Sequence, residues 1–274
     1  MPDVDSLEAV LLSDPPPRRR PWPALGTVVA LGVLLALATW MWMPPPPPPP
    51  GQVDMLAGLP HDGVVAADTS SPHVGGQWLV NSGSLLTRNG QLWSGRPDAG
   101  PAAPAQDRTG SAVLRAVSTS RDFKNVHVFV EMKLTALSTT TRTSAHPWDG
   151  VHIFLRYQNQ TDLYAVDLTR RDGTLAIKRK RTAGADVPAA DISNGGVYKT
   201  LATTRHALSH QWHSYEVSVA NGPRDVRISL SVDGKLLLSA VDPDTASLRD
   251  AGAVGLRGDN ADFTVRKFLV KPIS

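Results

Sequence analysis

The chain has 274 residues, no cysteine and a formal net charge of +3. The absence of cysteine excludes zinc–thiolate sites, iron–sulfur clusters and thiol nucleophiles. A charge this small permits contact with an anionic polymer but does not demand one. The length is enough for one large domain with a substantial core, and such a domain needs no disulfide to be stable.

An uncharged run from Ala24 to Met43 is the first predicted element. At ~1.5 Å per residue, a helix over this run spans about 30 Å, the hydrocarbon thickness of a bilayer. Arginines at positions 18–20 precede the run, and no Lys or Arg follows it before Arg88. The positive-inside rule therefore predicts a single-pass membrane helix, with residues 1–23 as a cytoplasmic tail and the remainder extracellular.

A cleaved signal peptide is the alternative interpretation of the same run. Ala36-Leu37-Ala38 fits the A-x-A pattern of a cleavage site. The uncharged run continues through Thr39–Met43, beyond that site, which favours the uncleaved anchor. Both interpretations export the domain that follows.

A proline run, Pro44–Pro50, comes next. It predicts a semi-rigid polyproline II spacer of roughly 20 Å. Residues 51–75 are rich in Gly, Asp and Ser and are interpreted as a linker that could contribute one strand. The predicted organisation is a tail (1–23), a membrane helix (24–43), a spacer and linker (44–75) and a folded domain (76–271).

Apolar and polar residues alternate strictly in several runs of the folded domain. Val126–Leu134 and Val226–Val232 are two examples, and a period of two indicates a strand with one buried face. Asn89-Gly90, Asp172-Gly173 and Asp233-Gly234 fall between such runs. Each pair offers the two positive φ angles that a two-residue hairpin turn needs.

No run after residue 51 has a sustained helical period. The predicted strands are Gln77–Val80, Leu85–Thr87, Gln91–Trp93, Ala112–Val117, Val126–Leu137, Val151–Gln158, Leu163–Thr169, Leu175–Lys180, Tyr198–Ala202, Trp212–Ala220, Val226–Val232, Lys235–Ala240, Gly252–Arg257 and Phe263–Val270. Many short strands joined by hairpin turns predict an all-β fold, a jelly-roll sandwich of two antiparallel sheets packed face to face.

The order of these strands, and the residues at their ends, resemble those of a known family. The segments that carry the resemblance are Glu131-Met132-Lys133, Trp148-Asp149-Gly150-Val151-His152-Ile153-Phe154-Leu155-Arg156-Tyr157, Tyr164-Ala165-Val166-Asp167, Trp212-His213-Ser214-Tyr215-Glu216-Val217, Val232-Asp233-Gly234-Lys235 and Ala253-Val254-Gly255-Leu256-Arg257. The chain resembles the concanavalin A-like lectin/glucanase superfamily, in its laminin-G-like and 3-keto-disaccharide-hydrolase-like branch, over residues 76–271. That superfamily includes sugar-binding modules, glycoside hydrolases, lyases and interaction domains, so the fold does not choose among them.

The resemblance implies a saccharide site on the concave sheet or on the loops at its rim. The candidate ligand-binding residues are Trp148, Asp149, His152, Arg156, Tyr164 and Asp167. Trp148 would supply an aromatic platform, and the polar groups would bind sugar hydroxyls. On parity, His152 and Arg156 are expected to lie on the binding face, and Tyr157 is expected to be buried with Val151.

A surface glycoside hydrolase or lyase is an alternative function. Asp149 and Asp167 form the best available pair of carboxylates, and retaining glycosidases need two carboxyls ~5 Å apart. Glucanases of this fold carry a Glu-x-Asp-x-Glu strand, which this sequence lacks. The alternative for the pair is that Asp149 starts a turn and Asp167 faces solvent.

Two further clusters could bind ions. The hairpin around Asp172-Gly173 is basic, and it could hold an anionic glycan or could be a solvated edge strand protected by its charges, which is favoured. Its basic residues are Arg170, Arg171, Lys178, Arg179, Lys180 and Arg181. Calcium is the possible cofactor, with Asp242, Asp244, Asp259 and Asp262 as candidate ligands, although they lack EF-hand spacing.

The leading hypothesis is a membrane-anchored extracellular module that binds a carbohydrate of the cell envelope or its surroundings. A hydrolase or lyase and a non-catalytic interaction domain remain the alternatives. The expected partners are a membrane and a glycan. Nucleic acid is not expected as a partner, because the domain is predicted to be exported.

Overall fold

The computed structural model describes residues 51–67, 73–98, 107–184, 188, 192–243 and 248–273. The predicted tail, membrane helix and proline run lie outside these described residues, and so does Asp244. In the described ranges, no helix has the length and apolar character needed to cross a membrane.

Every regular element of the described residues is a β-strand, as the sequence predicts. The strands are β1 (Val53–Asp54), β2 (Gly63–Ala66), β3 (His73–Gly75), β4 (Trp78–Ser82), β5 (Leu85–Arg88), β6 (Gln91–Trp93), β7 (Val113–Ser118), β8 (Val126–Leu137), β9 (Gly150–Asn159), β10 (Asp162–Arg170), β11 (Thr174–Thr182), β12 (Ile192–Ser193), β13 (Gly196–Arg205), β14 (Trp212–Asn221), β15 (Val226–Val232), β16 (Lys235–Asp242), β17 (Ala253–Asp259) and β18 (Ala261–Pro272).

These strands form two antiparallel sheets of nine strands each. Sheet A has the order β16-β15-β14-β8-β18-β6-β5-β2, and β1 also pairs with β18. Sheet B has the order β12-β13-β11-β10-β9-β17-β7-β4-β3. The predicted sandwich of two antiparallel sheets is therefore confirmed.

The hydrophobic core lies between the two sheets. In β8, residues Val126, Val128 and Val130 are almost fully buried, while the residues between them are partly exposed. Side chains of β9 and β10 in sheet B belong to the same apolar cluster. Trp78 of sheet B meets Phe268 of sheet A edge-on, with 5.1 Å between ring centroids. The residues that alternate as apolar in the sequence are thus those on the buried face of the strand.

Two of the three predicted hairpin turns have the expected geometry. Asn89-Gly90 has φ angles of 52° and 70°, and Asp233-Gly234 has φ angles of 50° and 77°. At Asp172-Gly173 only the glycine has a positive φ, 66°, because three residues connect β10 to β11. Asn194-Gly195, with φ angles of 47° and 75°, makes a further two-residue turn that the sequence analysis does not predict.

The segment interpreted as linker, residues 51–75, contributes β1, β2 and β3 to the sandwich. Met55 follows β1 and is buried in the core. Its carbonyl oxygen accepts a hydrogen bond of 2.9 Å from Trp78 Nε1. Strands of two to four residues are too short to show a period, which is why the sequence does not resolve them.

Gly150 positions the start of β9 and should tolerate no side chain. Its φ is 154°, and a Cβ atom there would lie 2.0 Å from the carbonyl oxygen of Thr169. We expect Gly150→Ala to lower the free energy of unfolding by about 3 kcal/mol or more. Gly234→Ala is the control, since Gly234 has a φ of 77° but no atom near its Cβ position, and it should cost about 1 kcal/mol. Equal losses in urea denaturation would contradict the predicted clash.

Candidate functional site

The outer face of sheet B, which points away from the core, differs from that of sheet A. In β8 every second residue is at least partly exposed, as expected for a sheet face in contact with water. In β9 and β10 the residues on both faces are buried over most of the strand. The outer face of sheet B also carries a second apolar cluster, whose members are Val117, Phe154, Tyr157, Leu163, Ala165 and Ala253. Most side chains on this part of the outer face are therefore buried by their neighbours and are not in contact with water.

A groove of about 340 Å³ opens on this outer face. Its volume is at the lower end of the ~300–1,000 Å³ that is usual for small-molecule sites. The lining residues are Trp148, His152, Phe154, Ala165, Arg170, Lys178, Ser193, Tyr198, Arg257 and Asp259. The groove therefore combines aromatic side chains with charged groups of both signs.

His152 joins two carboxylates at the floor of the groove. Its Nδ1 lies 2.7 Å from Asp167 Oδ1, and its Nε2 lies 3.1 Å from Asp259 Oδ2. An ionised carboxylate only accepts hydrogen bonds, so both ring nitrogens must carry a proton to satisfy both contacts. Burial lowers the pKa of His152, but the charge and hydrogen bond of Asp167, with help from Asp259, outweigh burial and raise it. The geometry and the pKa both indicate an imidazolium.

Asp167 is held ionised by three neighbours. Its second oxygen, Oδ2, lies 3.1 Å from Arg170 Nη1 and 3.0 Å from Lys178 Nζ. Burial raises the pKa of this carboxyl, but His152 and Lys178 overcome burial and lower the pKa to about 2. Asp167 is therefore an anion across the physiological range of pH.

Asp259 is held in the same way by Arg257, two residues earlier on β17. Arg257 Nε and Nη2 donate to the two carboxylate oxygens at 2.8 and 2.7 Å. Burial raises the pKa of Asp259, but the charge of Arg257 outweighs it, and the net direction is downward. The bidentate pair fixes the plane of the guanidinium at the groove wall.

The register of four neighbouring strands places charged residues in one row. Arg115 of β7 is opposite Arg257 of β17, and Arg257 is opposite His152 of β9. His152 is in turn opposite Asp167 of β10. Directly opposed residues on one face have Cβ atoms about 5 Å apart. The row therefore places three cationic groups side by side before it reaches a carboxylate.

A β-bulge at Arg156 decides which residues at the end of β9 lie on the outer face of sheet B. Phe154 pairs with Gly255 and Tyr157 pairs with Ala253, so two residues of β9 oppose one residue of β17. Arg156 adopts a φ of 49° in this bulge. The bulge shifts the alternation by one, which brings Tyr157 beside Phe154 with 5.8 Å between stacked ring centroids.

The bulge also removes Arg156 from the groove, so its expected place on the binding face is wrong. Arg156 is fully buried. Its guanidinium donates to Lys124 O at 2.8 Å, Leu248 O at 2.6 Å, Asn221 Oδ1 at 2.7 Å and Asn125 Oδ1 at 3.1 Å. Burial lowers its pKa to about 10, which leaves it charged at neutral pH. Arg156 is a structural residue that binds two backbone carbonyls and two asparagine side chains from other segments of the chain. Tyr157 is buried as expected, but on the outer face and not with Val151.

Tyr164, another candidate for ligand binding, lies in the core between the sheets. Its hydroxyl donates to Asp242 Oδ2 at 2.7 Å and accepts from Leu248 N at 3.1 Å. Arg179 Nη1 donates to the same carboxylate at 2.9 and 3.1 Å. Tyr164 shares the parity of Val166, which faces inward. The structure therefore does not place it with His152.

Asp149 and Trp148 occupy the turn before β9. Asp149 is buried, and its Oδ2 accepts from His146 N at 3.0 Å, Arg171 Nε at 3.1 Å and Asn260 Nδ2 at 3.2 Å. Trp148 is 48% exposed, stacks on His146 with 4.6 Å between ring centroids, and lines the groove. Asp149 thus stabilises the turn that presents Trp148, and its contacts are separate from those of Asp167.

The described calcium candidates do not converge. Asp242 binds Tyr164 and Arg179, Asp259 binds Arg257, and Asp262 accepts from Trp93 Nε1 at 2.7 Å. Within the described ranges, no three His, Asp or Glu side chains are grouped so that they could hold a metal. The carboxylates that calcium would need are occupied by cations and N–H donors, so these residues do not fit the ion.

The basic hairpin is not an edge strand, and the interpretation as a solvated edge is wrong. β11 lies inside sheet B, between β10 and β13. Lys178 and Lys180 are on its outer face, with their Nζ atoms 5.6 and 5.1 Å from the ring centroid of Tyr198. Arg179 points inward to Asp242. The hairpin therefore supplies part of the groove wall.

Sequence reasoning missed Phe154, Tyr198 and Arg257 as lining residues. Phe154 shares the parity of His152, and Arg257 shares that of Asp259, so the alternation carried a signal for both. Tyr198 enters the groove because β13 pairs with β11. No local pattern reports that pairing.

Comparison with protein-family models gives no match, and comparison with curated proteins gives none. Among solved structures, the endo-1,3-β-glucanase of Streptomyces sioyaensis is similar at 13% identity and a TM-score of 0.46, over 84% of this chain and 100% of that one. The exoplasmic/lumenal domain of VIP36, bound to Ca²⁺ and Man3GlcNAc, is similar at 9% identity and a TM-score of 0.47, over 77% and 89%. The metal-free carbohydrate recognition domain of Emp46p is similar at 8% identity and a TM-score of 0.47, over 79% of this chain and 96% of that one. These are a glucanase and lectin-type folds, the classes that the resemblance names, but at such scores they carry no argument about the site.

Replacement of Arg156 should destabilise the fold. Arg156→Met leaves four acceptors without their donor, and we expect a loss of about 3 kcal/mol in the free energy of unfolding. Arg121→Met is the control, because exposed Arg121 makes one hydrogen bond, to Gln158 O at 2.8 Å, and should change stability by less than about 0.5 kcal/mol. Chemical denaturation measures both. Similar losses would mean that Arg156 is not structural.

His152 should stabilise the fold most at acidic pH. Its folded pKa lies above the ordinary value of 6.5, so its contribution is complete below pH 6.5 and is lost as the pH rises through the folded pKa. Asp167 contributes above pH 3.8 and loses its contribution as the pH falls through about 2. The difference in unfolding free energy between the unmodified protein and His152→Gln should therefore be largest between about pH 4 and pH 6.

Urea denaturation across pH measures this difference. His61→Gln is the control, since the side chain of His61 is exposed and pairs with the exposed side chain of its neighbour Asp62. The control should show little difference at any pH. A His152→Gln effect that stays constant from about pH 4 to pH 9 would contradict the imidazolium assignment.

Proposed function

We propose that this protein binds a carbohydrate in the groove on the outer face of sheet B. The observation that carries the proposal is the presence, in one groove, of the exposed ring of Trp148, the ring of Tyr198 and the fixed pair Arg257–Asp259. The C–H faces of a sugar pack on aromatic rings, while planar guanidinium and carboxylate groups bind vicinal hydroxyls in pairs. The groove offers both kinds of contact.

Preorganisation of the polar groups also supports binding. Asp167, His152, Asp259 and Arg257 are linked by contacts of 2.7–3.1 Å and are largely buried. Side chains that are already ordered lose little entropy when a ligand arrives, so less of the interaction energy is spent on ordering them. A rigid polar floor therefore favours affinity for a hydroxyl-rich ligand.

We propose further that a membrane anchor holds this domain outside the cell. The support is the sequence pattern alone, with the uncharged run Ala24–Met43 preceded by arginines and followed by the proline run Pro44–Pro50. The ligand would then be a glycan of the cell envelope or of the surrounding medium.

The ionisation of the carboxylates favours binding over hydrolysis. A glycosidase needs a carboxyl whose pKa is raised so that it can protonate the leaving group. In the groove, Asp167 and Asp259 both have lowered pKa values because His152 and Arg257 contact them. Asp149 lies in a separate network with Arg171. The predicted pair Asp149 and Asp167 thus gains no support as acid and nucleophile.

A protein-interaction role has less support than a glycan site. The large apolar side chains that are exposed in the described ranges are spread over four parts of the chain, namely Val64 on β2, Val74 on β3, Leu208 on a loop, and Leu236 and Val241 on β16. An interaction surface of a soluble domain usually presents such residues in one contiguous patch. Trp148 is the exception, and it belongs to the groove.

Replacement of Trp148 should abolish most glycan binding without affecting the fold. The full-length chain, in a detergent without a sugar headgroup, would be applied to a glycan array, and the retained glycan titrated by calorimetry. We expect Trp148→Ala to weaken binding by about tenfold or more, since stacking on the ring contributes on the order of 1.4 kcal/mol. Trp212→Ala is the matched control, because Trp212 lies on sheet A, under Arg266.

Two outcomes would contradict the proposal. One is that the array retains no glycan, and the other is that Trp212→Ala weakens binding as much as Trp148→Ala. The array is run with calcium and with a chelator, and equal retention is expected because the described aspartates are already occupied.

A further inference from the structure

We infer that the groove takes an acidic saccharide, one whose sugar units carry a carboxylate or a sulfate. The inference rests on the proposed carbohydrate binding and adds the chemical class of the ligand. It follows from the charges on the outer face of sheet B, from their register and from their burial.

Cations outnumber carboxylates on this face. The cations are Arg115, Arg170, Lys178, Lys180 and Arg257, together with the imidazolium of His152. The carboxylates that pair with these cations are Asp167, Asp259 and Asp172, the last in the turn before β11 and bound to Arg170. The carboxylates of the face therefore leave part of its positive charge uncompensated.

Arg115 carries part of the uncompensated charge. It is directly opposite Arg257 in the paired strands, and like charges in that position destabilise a sheet. Its Nε donates to the neutral side chain of Asn81. In the described part of the chain, Arg115 forms no ion pair with a carboxylate. Burial lowers its pKa, and the charge of Arg257 lowers it further.

Lys180 carries the remainder. It is buried, and its Nζ donates to the backbone carbonyl of Gln160 at 2.8 Å rather than to a carboxylate. Burial lowers its pKa to about 8, and the charges of Arg257 and Arg115 act in the same direction. A buried cation without a paired anion destabilises a fold. Arg115, Arg257 and Lys180 therefore repel one another beside the groove, and Arg257 is the member of this group that lines it.

An anionic ligand relieves this repulsion. Arginine binds a carboxylate or sulfate through two parallel N–H donors, which gives a directional and strong contact. The nearby rings of Tyr198 and Trp148 add a surface for the sugar ring. An acidic sugar could place its anionic group beside Arg115 and Arg257 and its ring against Tyr198 and Trp148. A neutral sugar would leave the positive charges uncompensated.

Matched polymers test the class of the ligand. The full-length chain, in a detergent without a sugar headgroup, is titrated with dextran, dextran sulfate, polygalacturonate and polyglutamate. We expect dextran sulfate or polygalacturonate to bind at least tenfold more tightly than dextran and polyglutamate. Binding should weaken as salt is added, because exposed charges are screened. Sulfate and carboxylate arms distinguish the two anionic groups.

Lys180→Met should separate ligand binding from stability. Removal of a buried uncompensated charge should raise the midpoint of thermal unfolding, while affinity for the acidic polymer falls by about tenfold. Lys235→Met is the control, because Lys235 is exposed on β16 of sheet A and carries the same charge. It should change neither quantity. Arg115→Gln should weaken binding in the same way as Lys180→Met.

The pH dependence gives an independent readout. Lys180 faces Arg257 of β17, Arg115 of β7, Asp162 of β10 and Tyr198 of β13. As the pH rises through about 8, Lys180 loses its proton, and affinity for the anion should fall. Lys180→Met should not show this fall. The phenol of Tyr198 stays neutral in this range because burial raises its pKa.

Each outcome supports or overturns the inference. Trp148-dependent binding of dextran that equals the binding of the acidic polymers would leave the proposed function intact and overturn the acidic class. Equal binding of polyglutamate, or of a nucleic acid added as a further competitor, would show recognition of charge alone and would also overturn it. Failure of every saccharide to bind would overturn the proposed function itself.

Discussion

The groove depends on one buried guanidinium. Arg156 sits in the bulge of β9 and donates to acceptors from three other parts of the chain. This set of bonds holds a non-glycine residue at a φ of 49°, which would otherwise be unfavourable. Because the bulge shifts the alternation, Tyr157 comes to lie on the same face as Phe154 and packs against this groove residue in the outer apolar cluster. A strand without the bulge would turn Tyr157 into the core.

The charges of the outer face form a coupled system. Asp167 and Asp259 are buried carboxylates, and each would be unfavourable alone. His152 bridges them, and Arg257, Arg170 and Lys178 supply the remaining positive charge. The same contacts that keep both carboxylates ionised also order the side chains around the groove. The side chains around the groove are therefore ordered by contacts that leave an excess of positive charge, and Arg115 and Lys180 increase that excess.

The sequence predicts the sandwich well because the long strands of sheet A alternate cleanly. In β8 and β14 one face is half-exposed, so the period of two is visible in the residue types. β10 is different, since Leu163 and Ala165 on one face are as apolar as Tyr164 and Val166 on the other. Alternation cannot assign a side to a strand that is buried on both faces. For this reason the resemblance groups Tyr164 with His152 and Asp167, whereas the structure places Tyr164 in the core between the sheets.

The bulge and the pairing of distant strands were beyond local patterns. Nothing in the order of residues 151–157 distinguishes a regular strand from one in which Arg156 turns inward, because the cause lies in acceptors near residues 124, 221 and 248. Tyr198 likewise reaches the groove only through the pairing of β13 with β11. A site on the outer face of a sheet is built from side chains that meet across strands. Its polar members can thus be guessed from parity, but its shape follows from contacts between residues far apart in the chain.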